Sequence, residues 1–152
     1  MTVQYLSPKK FEELKKERDH IKMVEMPKTA DQIHEATQLG DLKENAEYHA
    51  AKDRMGWLDA RLKEIESILD HAEITEKSTH TDSVGIGSVV TVDTGSKEKT
   101  YTVVGAQEAD PLNGKISNES PIGEALFGKK KGSKVQVELP AGPQEYTILN
   151  IA

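Results

Sequence analysis

Residues 55–72 read MGWLDARLKEIESILDHA, and their spacing decides the architecture of the first half of the chain. Met55, Leu58, Leu62, Ile65, Leu69 and Ala72 alternate intervals of three and four residues without a miss. That is the a/d pattern of a helix whose apolar seam faces another helix. Carried backward, the seam takes in Ala51 and Tyr48, which predicts a helix start close to Asn45.

Upstream, Ser7-Pro8 pairs an N-cap residue with proline at the first helical position, a good helix start. Phe11, Leu14, Ile21 and Val24 recur at helical spacing, with Glu12 and Lys16 four apart on the surface. Pro27 is expected to kink or break this helix, because it lacks a donor and its ring clashes with the preceding turn. Helical spacing resumes at Ala30, Ile33 and Ala36 or Thr37, and Gly40 is placed to cap the end. Two helices of about 30 residues joined around residues 40–44 predict an antiparallel hairpin roughly 45 Å long.

The second half changes period. Strands are expected at Ser88 to Val92, Thr100 to Val104, Lys115 to Ser117, Lys134 to Leu139 and Glu145 to Ile151, separated by Gly, Pro, Asp and Asn. Ser120 to Gly128 reads as a cap, a proline at the first position, a short amphipathic helix and a terminal glycine. The fold class is therefore α+β in two domains: a coiled-coil hairpin over 1–76, a linker over 77–83, and a small antiparallel sheet with one short helix over 84–152.

Composition narrows the function. The chain of 152 residues carries a net charge of −6, which argues against gripping duplex DNA mainly through phosphate neutralisation. It has no cysteine, so disulfides and thiolate metal sites are excluded. The N-terminus lacks the apolar core of a secretory signal and no stretch approaches a membrane span, which predicts a cytoplasmic protein that engages no membrane.

The hairpin tip reads GDLKENAEY over residues 40–48. Asp41 and Glu44 are three apart, the spacing of a capping box, and that reading needs no function. The same pair at the remote end of a long arm also suits magnesium, a hard cation that often takes only one or two carboxylates from a protein. The histidines at 20, 34, 49, 71 and 80 show no metalloprotease spacing. Trp57, beside the seam, reads as packing, and Lys129, Lys130 and Lys131 as a charged turn.

GDLKENAEYHAAK, from Gly40 to Lys52, resembles the tip motif of the GreA/GreB transcript cleavage factors, and the likeness continues through Arg61 to Glu66. Val104-Gly105, Glu108-Ala109-Asp110, Ile116-Ser117, Ser120 to Gly123, Ala125-Leu126 and Gly128-Lys129 extend it along nearly the whole chain. The resemblance implies a coiled-coil hairpin followed by a domain similar to FKBP-type prolyl isomerases. It further implies a transcription elongation factor whose C-terminal domain docks at the rim of the RNA polymerase secondary channel, through Glu119, Ser120 and Pro121. The hairpin then enters the channel and stimulates cleavage of the 3′ end of backtracked RNA.

By match to the motif, Asp41 and Glu44 share a magnesium ion with the polymerase active site, assisting catalysis in trans. The protein itself is expected to hold no cofactor, to be no enzyme alone, and to be a monomer. The resemblance also implies a basic patch toward the nascent RNA at Lys52, with Lys43 and Arg54 near it in sequence, although Lys52 and Arg54 equally suit an ordinary solvated helix face. Family members commonly carry a basic residue where this chain has Thr37, which weakens that grip. Two other readings use the same architecture: a channel-binding regulator that opposes cleavage, and a prolyl isomerase, for which aromatics limited to Tyr101, Phe127 and Tyr146 are too few.

Overall fold

The computed structural model describes residues 3–40, 43–76 and 82–152. Asp41, Leu42 and residues 77–81 of the expected linker lie outside the described residues. Two compact units are present, one of residues 11–71 and one that joins residues 1–10 to 72–152. Beside the expected division at residue 76, these compact units group the start of the chain through Lys10, and the stretch from Ala72, with the second half.

The reason is a strand pair that the pattern did not announce. β1 (Gln4–Leu6) pairs in parallel with β2 (Ala72–Ile74), Tyr5 opposite Glu73. The helix expected to run through Ala72 stops at Asp70 so that this strand can form. Gly105 lies so close to β1 that a Cβ there would sit 1.8 Å from the Tyr5 carbonyl oxygen. Leu6 is fully buried.

α1 (Pro8–His20) starts at the expected residue, and its cap is completed from far along the chain. The Ser7 hydroxyl accepts the Lys10 amide at 3.2 Å, while the Ser7 amide donates to the Glu108 carboxylate at 3.0 Å. The Ser7 hydroxyl also donates to that carboxylate. A capping box normally takes its acid from three residues into the helix, where this chain has Lys10. Glu108 fills that role across 101 residues. Glu108→Ala should therefore lower stability by about 1–2 kcal/mol, read as an earlier thermal melt, with Glu108→Gln recovering part of it. An unchanged melt for Glu108→Ala would show that the contact contributes nothing.

In the helical unit, Pro27 does not break the run. Residues Ile21–Glu25 form a π-helical turn in which the Met26 amide bonds the Ile21 carbonyl, and α2 (Met26–Thr37) follows with Pro27 in its first turn. The extra residue in the wide turn relieves the ring clash, and the missing donor falls where a helix start leaves one unused. The buried Thr29 hydroxyl donates to the Glu25 carbonyl at 2.8 Å.

α3 (Ala46–Asp70) buries Ala51, Leu58, Leu62, Ile65 and Ile68. Leu69 was expected on the seam, yet Ile68 takes the buried place, because a straight helix of 3.6 residues per turn drifts from a strict heptad over this length. Across the hairpin Ala36 meets Asn45, Glu25 meets Arg54 and Glu17 meets Arg61, the order of antiparallel packing. Arg61 holds Glu17 through two bonds of 2.8 and 3.0 Å and Glu64 through one of 2.9 Å. Those carboxylates push the guanidinium pKa still higher, so the ion pair persists through the physiological range.

The second unit holds β3 (Val89–Asp93), β4 (Glu98–Val104), β5 (Lys115–Ser117), α4 (Pro121–Leu126), β6 (Lys134–Leu139) and β7 (Gly142–Ile151). The strand order is β5-β4-β3-β7-β6. β4 and β5 run parallel, with Val103 opposite Ile116, so the sheet is mixed where an antiparallel one was expected. The connection between them, with short 3₁₀ turns at Ala106–Glu108 and Pro111–Asn113, is long enough to return the chain in the same direction. Alternation places Val90 and Val92 of β3 in the core with Val103, Val137, Ile148 and Leu126, all fully buried. α4 contributes Leu126 to that core and presents its start, capped by Ser120, at the surface.

Candidate functional site at the hairpin tip

The tip is where α2 ends and α3 begins. α2 closes with Gln38 as its C-cap, two residues before the expected Gly40, and the Leu39 amide bonds the Ala36 carbonyl at 3.1 Å. Leu39 itself is 67% exposed, an apolar side chain held in the open beside the turn. Lys43 and Glu44 form a turn, and Asn45 takes an extended conformation as the N-cap of α3.

Asn45 is a site residue that sequence reasoning missed. Its side-chain oxygen accepts the Tyr48 amide at 3.1 Å and its side-chain nitrogen donates to the Ala36 carbonyl at 2.6 Å. The spacing of Asp41 and Glu44 had suggested that this pair makes the cap. Glu44 instead precedes the cap residue and is exposed, and no described side chain bonds its carboxylate. The available signal was Asn45 itself, a good capping residue directly before the helical run.

The basic candidates do not share one face. Lys52 and Arg54 are two residues apart on α3, roughly 200° around the helix axis. The Lys52 ammonium lies 5.6 Å from the Tyr48 ring centroid, one turn nearer the tip. The Lys43 carbonyl faces His49 Nε2 at 3.2 Å. Arg54 is engaged elsewhere: it reaches Glu25 at 3.5 Å, and its guanidinium stands 4.9 Å over the Trp57 ring. Hydrogen bonding from His20 first, then from Arg54, holds the Glu25 carboxyl below its ordinary range against the opposing effect of burial. Trp57 is 55% exposed, so it does not serve the packing role expected of it. Thr37 turns its hydroxyl to the His34 carbonyl at 2.6 Å. Between the helices an open groove of about 490 Å³ is floored by Ala36, Ala50 and Ala51, with Glu35 and Glu47 among its walls.

In the sheet unit, Glu119, Ser120 and Pro121 fall together at the start of α4. The Ser120 hydroxyl accepts the Gly123 amide at 3.1 Å and donates to the Ser117 carbonyl at 2.6 Å, so it organises the turn. Pro121 and Glu119 are exposed, and the Glu119 amide donates to the Ser117 hydroxyl at 3.0 Å.

Comparison with known proteins covers both halves. The family model described as transcription elongation factor, N-terminal, matches residues 4–74, and that of transcription elongation factor, GreA/GreB, C-term, matches residues 78–152. The chain is 46% identical over 134 residues to transcription elongation factor GreA of Macrococcus caseolyticus, covering 87% of this chain and 85% of that protein. It is 45% identical over 142 residues to the GreA of Nautilia profundicola, covering 91% of this chain and 87% of that protein. Among solved structures, the GreA factor homolog 1 protein of Thermus thermophilus is 26% identical with a TM-score of 0.46, covering 100% of this chain and 99% of that one.

Proposed function

The chain belongs to the GreA/GreB family of transcription elongation factors, and from that membership we propose that it enters the secondary channel of RNA polymerase and stimulates endonucleolytic cleavage of the 3′ end of backtracked RNA, releasing arrested complexes. The observation that supports this reading most is Glu44, an exposed carboxylate at the hairpin tip that helix capping does not use, since Asn45 makes the cap. Asp41 joins it by match to the family motif.

The donor set fits magnesium: carboxylate oxygens are hard ligands, and this ion takes few of them while keeping several waters. In a site shared with the polymerase, the bound ion supplies Lewis-acid assistance to attack by water and to departure of the RNA oxygen. Asp41 and Glu44 would hold such an ion there and orient the attacking water. The chain is an accessory factor with no nuclease activity alone, because the polymerase owns the other ligands. It acts in the cytoplasm as a monomer.

Lys52 and Lys43 bring positive charge toward the RNA phosphates, whose neutralisation strengthens binding. Arg54 contributes less, being paired with Glu25 and stacked on Trp57. Glu119, Ser120 and Pro121 form the docking edge on the polymerase, with the Ser120 cap holding the other two in register.

Docking is tested by combining Glu119→Lys with Pro121→Ala. Competition binding to core polymerase should weaken by about tenfold, equivalent to roughly 1.4 kcal/mol. Cleavage should recover at high factor concentration, since occupancy and not chemistry is lost. Unchanged binding would move the docking edge to another surface.

A further inference from the structure

We infer that Asn45 is the positioning residue of the tip, the side chain that fixes Glu44 against both helices at once; the inference rests on the functional reading above. Its two side-chain polar groups serve different helices. The oxygen accepts the Tyr48 amide at 3.1 Å, closing the first turn of α3, and the nitrogen donates to the Ala36 carbonyl at 2.6 Å in the last turn of α2. Its own carbonyl accepts the His49 amide at 3.1 Å. One half-buried residue therefore engages both helices where they meet at the tip, and Glu44 is its covalent neighbour.

A cap alone needs only the oxygen. Asp, Ser and Asn all cap well, but of the three only asparagine also presents an N–H on the same short planar group. The second bond is what a purely structural role does not require of a cap. It removes rotation of the α3 start relative to the α2 end, the motion that would swing Glu44 away from a shared metal ion. A displacement of about 1 Å can cost on the order of 100-fold in rate, so losing such a bond would lower the rate although Asn45 does not touch substrate.

The chemistry separates the two roles by substitution. Asn45→Asp and Asn45→Ser keep the acceptor for the Tyr48 amide. Asn45→Asp has no donor for the Ala36 carbonyl, and the Asn45→Ser hydroxyl is too short to span both bonds. Asn45→Ala loses both. Each full-length variant is added to a backtracked elongation complex with labelled RNA, over a series of factor and magnesium concentrations, alongside thermal melting by circular dichroism. For Asn45→Asp and Asn45→Ser we expect a modestly lowered melt that stays well above the assay temperature, since each loses the bond to Ala36, and an unchanged half-saturating factor concentration. Their maximal cleavage rate at saturation should fall about tenfold, with the magnesium dependence displaced upward. The agreement of the two guards against an effect of the added charge in Asn45→Asp. Maximal rates equal to wild type in both variants would overturn the inference and leave Asn45 a cap alone. A wild-type chain that fails to stimulate cleavage would overturn the functional reading and this inference with it.

Discussion

Asp41→Asn combined with Glu44→Gln should fold and bind polymerase as the wild-type chain does, yet lose cleavage stimulation by on the order of 100-fold. The substitutions preserve shape and most hydrogen-bonding capacity while removing the negative charge that a hard cation requires. The helix should not suffer, because α3 is capped by Asn45 and Glu44 lies before the cap. Single variants should retain part of the activity, and added magnesium should restore some of it by mass action. Loss of helicity in the double variant would return the acids to a structural role. Wild-type stimulation by a folded, bound variant would make channel occupancy the better account.

A large loss of stability is expected from Gly123→Ala in α4. A Cβ at this position would lie 1.9 Å from the Ser117 carbonyl oxygen and 3.0 Å from the Ser120 hydroxyl. The carbonyl belongs to backbone already fixed by bonds from the Ser120 amide and hydroxyl, so it cannot yield cheaply. α4 would have to move off β5 and lift Leu126, fully buried, out of the core. Overpacking of this kind costs about 3 kcal/mol or more, and each kcal/mol lowers Tm by roughly 4–8 °C in a small domain. The same shift displaces Glu119 and Pro121, so polymerase binding should weaken in parallel. A melt within about 2 °C of wild type would show that β5 and α4 accommodate the methyl group, contrary to this packing.

The hairpin was legible because its signal is local and repeated. Leu58, Leu62 and Ile65 lie on the a/d seam and are all buried; the same seam carried backward placed the start of α3 near Asn45, and Ser7-Pro8 and Ser120-Pro121 marked the other helix starts. What escaped depended on partners far along the chain. β1 and β2 have three residues each and gain their identity only from each other. Glu108 could not be read as the completing acid of the Ser7 cap, because nothing in either segment points across 101 residues. The parallel pairing of β4 with β5 is likewise a property of the connection between them and not of either strand.

Two local rules also gave way to alternatives of similar energy. Pro27 is tolerated because a π-helical turn absorbs it, an outcome that helix propensity does not anticipate. At the tip, the interval between Asp41 and Glu44 pointed to a capping box, whereas the neighbouring Asn45 makes the cap and bonds the opposite helix as well. The candidate acids were found through the family motif, and the residue that organises their surroundings was not. Trp57 sat beside the seam in sequence, yet its ring lies half in solvent under Arg54.

In the proposed function, this chain makes RNA polymerase cut its own backtracked transcript. The most direct measurement is the rate at which 3′-labelled RNA in a stalled, backtracked elongation complex releases its labelled fragment, at fixed magnesium, with and without the chain. Release should accelerate by about 100-fold or more when the chain is saturating, with no release when the chain meets the same RNA without polymerase. Equal rates with and without the chain, at concentrations where binding to polymerase is demonstrated, would contradict it.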